Sequence, residues 1–146
     1  MTILRLLPAV ALIFLLVPVS HAWTQAQIDA GKRELQETFF DGGQTLVIAS
    51  RKTQDDVITF WRGFLRNNNF KADDLIFDVF ESDNGWYAVT LGIEPAQACQ
   101  DRKRRLVKQG IISKDSYCTN GARFHGAYQL YGNGFEHVGG TALTTN

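Results

Sequence analysis

Apolar and polar positions recur along this chain with two different periods, and the switches between them lay out its elements. From Trp23 to Phe40 the pattern is helical, with Thr24 and Gln27 spaced as a capping box and Ile28, Leu35 and Phe39 near one face. The stripe is thin and Gly31 interrupts it, so this helix is expected to lie across an edge of the domain rather than join its central core. Asp41-Gly42-Gly43 ends it, and Gln44 to Ser50 reads as a strand built on Leu46-Val47-Ile48-Ala49. The next helix has the clearest start. Thr53 is its N-cap, Asp55 and Asp56 occupy a first turn where the helix dipole favours anions, and Val57, Phe60, Trp61, Phe64 and Leu65 follow at helical spacing. Asn67-Asn68-Asn69 stops it, since Asn enters a left-handed conformation at little cost.

Period two then returns. Leu75 to Glu81 and Trp86 to Gly92 read as strands joined by the turn Ser82-Asp83-Asn84-Gly85, which makes a hairpin. Gly92 closes the second strand, and Pro95 sits where a first helical turn tolerates it, opening a polar helix that reaches Gln109. Tyr117 to Thr119 and Arg123 to Tyr131 suggest a closing strand, bulged or bent around Asn120-Gly121. Beyond Gly132 the glycine and threonine content rises and apolar periodicity fades, so residues 133–146 are expected to form a flexible tail. The order after the first helix is strand, helix, strand, strand, helix, strand. That is an α+β fold of ferredoxin-like β-α-β-β-α-β type, with a four-stranded antiparallel sheet preceded by an extra N-terminal helix. Leu46 to Leu65 and Tyr87 to Leu106 form a faint internal repeat of strand and helix. Both helices would cover one sheet face, leaving the other open unless the first helix or the tail shields it.

The first 22 residues change where this domain is expected to work. Arg5, the apolar run from Leu6 to Val19 and the small-x-small Ser20-His21-Ala22 have the form of a secretory signal peptide cut before Trp23. The run is short of the roughly 20 residues a membrane span needs. Retained, the same segment would tether the domain to a membrane; removed, it leaves a periplasmic or secreted protein. The expected organisation is therefore signal peptide 1–22, N-terminal helix and turn 23–43, α+β domain 44–132 and tail 133–146. All fifteen acidic residues and fourteen of the fifteen basic ones lie beyond Ala22, giving a formal charge of −1 there, so bulk charge selects no partner and nucleic acid is not expected. Cys99 and Cys118 both lie in the exported part, where a disulfide is the first expectation and two free buried thiols the alternative.

The segments Trp86-Tyr87-Ala88-Val89-Thr90-Leu91-Gly92, Pro95-Ala96, Leu106-Val107-Lys108-Gln109-Gly110-Ile111-Ile112, Asp115-Ser116-Tyr117 and Gly121-Ala122-Arg123-Phe124 resemble a SPOR (sporulation-related repeat) domain. The resemblance covers about residues 86–124. It implies a module of the bacterial envelope that binds peptidoglycan, preferring glycan strands stripped of stem peptides, through its open sheet face and rim. Many such domains carry a Gln within a Val-Gln-Val-Gly strand, where this chain has Thr90 with its single hydroxyl.

Strand alternation gives a site without the resemblance. Tyr87, Val89, Leu91, Leu75, Phe77 and Val79 make the better inward set, which leaves Trp86, Ala88, Thr90, Ile76, Asp78 and Phe80 outward. Trp86, Thr90, Asp78 and Phe80 are accordingly the glycan-binding candidates, mixing flat aromatic surface with a hydroxyl and a carboxylate. The competing reading is that this face is simply covered. Arg102, Arg104, Arg105 and Lys108, in the one dense basic run, are candidates for binding an envelope protein of inhibitor or immunity type, or else a solvated helix face. A structural accessory protein sharing only the topology is a third reading. His125 and His137 stand apart from any catalytic or metal-ligand pattern, and Asp55-Asp56 and Asp73-Asp74 read as acids at element starts. No catalytic residue, metal site or cofactor is therefore expected.

Overall fold

The computed structural model describes residues 23–69, 77–131 and 134–141. The proposed signal segment, Leu75, Ile76 and the acidic pair Asp73-Asp74 lie outside these residues. Three helices and a six-stranded antiparallel sheet make up the described fold: α1 (Gln25–Thr38), β1 (Gly43–Arg51), α2 (Gln54–Asn67), β2 (Asp78–Ser82), β3 (Tyr87–Pro95), α3 (Ala96–Lys108), β4 (Tyr117–Thr119), β5 (Phe124–Tyr131) and β6 (Gly134–Gly140). The strand order is β4-β1-β3-β2-β5-β6, so the sheet has six strands where four were expected.

Two differences from the sequence reading add strands, and a third lengthens β3. First, the stretch read as one closing strand is two. β4 pairs with β1, and β5 pairs with β2 on the far side of β3, so the Asn120-Gly121 bend carries the chain across the sheet. Gly121 takes φ +73° there, and the Phe39 ring occupies the space a Cβ would need. Second, residues 134–140 are not a tail but the edge strand β6, paired with β5 from Tyr131↔Gly134 to Gly126↔Gly140. Its glycines do not disqualify it, because Phe135 packs with Tyr128 and Tyr87 and supplies the apolar contact that composition hides. Third, Gly92 does not end β3. The register passes from Thr45↔Ile93 to Leu46↔Leu91, leaving Gly92 as a bulged residue at φ +54°, which only glycine adopts at little cost, and the strand runs on to Pro95.

The helix boundaries follow local chemistry. Thr24 and Gln27 form the capping box in full, and Thr53 Oγ1 accepts from the Asp56 amide. α2 stops where Asn68 caps the Phe64 carbonyl and Asn69 turns to φ 55°. α3 ends in a Schellman motif: the Gly110 amide donates to the Val107 carbonyl and the Ile111 amide to that of Leu106.

α2 and α3 pack on one face over Leu46, Ile48, Val79, Val89 and Leu91, with Trp61, Phe64, Phe77 and Cys99 among the buried side chains. α1 lies on the other face, where Leu35 and Phe39 meet Val47, Phe80, Ala88, Phe124 and Ala127. α1 lies toward the β5–β6 edge of the sheet and outside the larger core, and Gly31 lets it sit close: a Cβ there would land on the His125 carbonyl oxygen. The interruption of the apolar stripe is the point of closest approach. α1 therefore belongs to the same packed unit as the residues from 44 onward.

Trp23 fastens the start of this helix. Its indole N–H donates to Glu81 Oε1 at 2.8 Å, and Tyr128 donates its hydroxyl to Glu81 Oε2 at 3.0 Å. Burial, reinforced by the adjacent Glu81 carboxylate, pushes the Tyr128 hydroxyl far above the usual tyrosine value. His125 is enclosed beside them, with Nε2 facing the Ser82 carbonyl and Nδ1 facing Thr141 Oγ1. Cys99 and Cys118 are bridged, with Cα atoms 6.2 Å apart, joining α3 to the short edge strand β4.

Candidate functional site

The outer face is covered by α1 only in part. Toward the β2–β3 turn and β4 the cover ends, and a groove of about 450 Å³ opens between Trp86 and Tyr117. Ala88 and Phe124 line it with Ser50, Ser82, Asn84, Thr119 and Arg123. Trp86 is 39% exposed and Tyr117 48% exposed, large values for aromatic side chains.

Each wall is set by local structure. Asn84 Oδ1 accepts from the Trp86 amide and the Gly85 amide donates to the Ser82 carbonyl, so the turn fixes where the indole begins. Lys52 Nζ stands 5.1 Å from the Trp86 ring centroid, a cation over its face. On the opposite wall, Cys118 is held inward by its bridge, and alternation turns Tyr117 and Thr119 out on either side of it. At the rim, Arg123 and Lys32 both hold Asp83, at 2.9 Å and 3.2 Å. Desolvation works to raise the Asp83 carboxyl, but hydrogen bonds and charges from Arg123 and Lys32 outweigh it and hold the group below the usual carboxylate value.

Of the four glycan-binding candidates, only Trp86 lines this groove. Phe80 is 2% exposed, stacked on Phe124 at 4.8 Å beneath α1. Thr90 is fully buried and donates its hydroxyl to the Asp78 carbonyl at 3.1 Å. Asp78 is half-buried, and desolvation raises its carboxyl above the usual value against a hydrogen bond from Gln129. These three serve the packing of α1 and the strand row Thr90–Asp78–Gln129 rather than an open face. Tyr117, Asn84, Ser50 and Arg123 escaped the sequence reading because the β4–β1 pairing that brings Tyr117 opposite Trp86 is not visible in local pattern. The one available signal was Cys118, whose inward placement implies outward neighbours.

The basic run separates as well. Arg102 is committed to the fold, with Nη2 at 2.9 Å from Glu94 Oε2 and Nη1 donating to the Leu91 carbonyl at 3.3 Å. Arg104 pairs with Asp101 one turn away. Arg105 and Lys108 are exposed in the last turn, where cations complement the helix dipole. Among the described residues, no three His, Cys, Asp or Glu side chains gather to hold a metal, and no helix is long and apolar enough to cross a membrane.

Asp78 gives a pH test of this arrangement. Its folded-state value is raised, so the ionised carboxylate is penalised in the folded protein, and stability falls as pH rises through the range between its unfolded and folded values. Asp78→Asn is expected to raise the melting temperature at pH 7, with the gain closing below about pH 4, where both side chains are neutral. Melting curves of the two proteins across pH 3 to 8, on the order of one unit apart, check this; a constant difference would mean that ionisation is not the cause.

No protein-family model, curated protein or solved structure matches this chain.

Proposed function

We propose that this protein is an exported, non-catalytic binding module of the bacterial cell envelope that takes a peptidoglycan glycan strand in the groove between Trp86 and Tyr117. The observation that carries the reading is the pair of exposed aromatic side chains facing one groove whose polar lining groups are hydroxyls, an amide and a guanidinium. Sugars present apolar ring faces bordered by hydroxyls, and such a surface offers stacking area together with donors and acceptors. The formed bridge and the signal-like first 22 residues support an oxidising, exported setting. We read β4-β1-β3-β2 with α2 and α3 as a ferredoxin-like unit that β5 and β6 extend. The second reading, an envelope protein partner, is favoured by the exposed Arg105 and Lys108 at the end of α3.

Sedimentation with purified peptidoglycan, before and after amidase treatment, tests the leading reading. The protein is expected to co-sediment, more strongly with amidase-stripped glycan. Trp86→Ala and Tyr117→Ala should each weaken binding about tenfold, the scale of a contact residue worth more than 1 kcal/mol. Both side chains are exposed, so the melting temperature should hardly move. A protein that ignores both preparations, or a double variant that sediments like the parent, overturns the proposal.

A further inference from the structure

A second opening lies on the opposite side of β4. β4 pairs with β1 only at Thr45, Leu46 and Val47, while β1 runs on to Arg51. Past Val47 the chain that precedes β4 swings away from β1. The Ser116 amide donates to the Ser113 carbonyl and the Asp115 amide to Ser113 Oγ, closing a turn that stands off from the strand. The gap measures about 340 Å³ and is lined by β1 from Val47 to Arg51, by Phe60 and Phe64 of α2, and by Ile111, Ile112 and Ser116 among others. Ligand sites occupy volumes from roughly 300 Å³ upward.

Two features of this gap call for a polar occupant of a particular shape. The β1 edge beyond Val47 has no strand partner among the described residues, and edge N–H and C=O groups are a template for another strand. Ser116 is 4% exposed, yet its Oγ has no hydrogen-bond partner. A buried hydroxyl without a partner is costly, and this one borders the gap. Arg51 lines the gap as well, its guanidinium 4.7 Å from the Phe60 ring centroid and donating to the Ser50 carbonyl. Beside the polar edge stands an apolar wall of Phe60, Phe64 and Ile112. Backbone groups along one side and apolar side chains along the other match an extended peptide.

We infer that β1 from Ile48 to Arg51 is a docking edge for an extended peptide segment of another protein, which adds as a short strand, turns an apolar side chain onto the wall of Phe60, Phe64 and Ile112, and hydrogen-bonds Ser116 Oγ. This is strand addition, in which backbone pairing gives affinity and side-chain pockets give selectivity. Its decisive contacts, Ser116 and Phe60, are not part of the glycan groove, although Ser50 and Tyr117 border both openings.

The probe is a blocked pentapeptide, acetyl-Val-Thr-Val-Thr-Val-amide, titrated into the protein and followed by amide NMR shifts. Shifts are expected at residues 48–51 and 113–117. Two N-methylated isomers, each methylated along one edge of the peptide, should differ: the one losing the β1-facing amides fails to bind, while the other binds as the parent does. Ser116→Ala should weaken the parent peptide about fivefold while leaving the melting temperature unchanged or higher, because it removes an unpaired buried hydroxyl. Phe60→Ala should weaken it as well. The inference is overturned if both isomers bind equally, if the shifts centre on Asn84, Trp86 and Arg123 instead, if Ser116→Ala binds as the parent does, if the peptide only drives the protein to dimerise, or if no shift occurs at millimolar peptide.

Discussion

Gly31→Ala is expected to destabilise the protein by about 3 kcal/mol, at the upper end of what overpacking costs. The added methyl group meets the His125 carbonyl oxygen, a backbone atom of β5 that cannot yield without moving the strand, and the Thr141 side chain is close behind it. α1 would have to lift, uncovering Phe80, Phe124 and Val47. Urea unfolding monitored by fluorescence should show a lower midpoint, and a dye sensitive to exposed apolar surface should bind under native conditions. Gly63→Ala is the matched control. Gly63 lies inside α2, and a Cβ there meets nothing within 4 Å, so the same substitution should stabilise by up to about 1 kcal/mol through helix propensity. If both variants shift in the same direction, the close approach of α1 is not what Gly31 provides.

The second large effect concerns Cys99 and Cys118. Replacing both with Ala is expected to cost about 3 kcal/mol, the scale for a loop of this length, mainly through the freedom regained by the unfolded chain. The local consequence is sharper than the global one. β4 has three residues and one strand neighbour, so the bridge to α3 is its principal tether. Without it, amide exchange at Tyr117, Cys118→Ala and Thr119 should accelerate ahead of that in β1 and β3, and peptidoglycan binding through Tyr117 should fall even where the protein stays folded. The intact protein should gain the mass of two hydrogens on reduction. An unchanged urea midpoint in the double variant, or equal exchange in β4, would contradict this role.

These two cases show what local pattern carries and what it does not. Thr24, Thr53, Asn69 and Gly110 announce the helix ends because capping is settled within a few residues, and the alternation of Phe77, Val79, Val89 and Leu91 marks the inward face for the same reason. Gly31 and Gly92 look like breaks from sequence, yet one admits a strand against a helix and the other absorbs a bulge. Their meaning depends on a partner remote in the chain. Phe80 reads as outward, and it does point away from α2 and α3; that the outward side has its own cover follows from α1, whose thin stripe gave no hint of two flanking phenylalanines on the sheet. The groove is less legible still. Trp86 was visible as an outward aromatic, but Tyr117 reaches it only through the pairing of β4 with β1, which the sequence read as part of another strand.

The seat of α1 also sets an order in time. The helix is made from the first residues described, while the surface that receives it is made largely by β5 and β6, with Thr141 against Gly31 and Gly139 against Leu35. No chain that stops short of β5 contains the floor on which α1 lies. Contacts this distant in sequence are slow to form, so however early the first helix emerges, its place is completed only when β5 and β6 arrive.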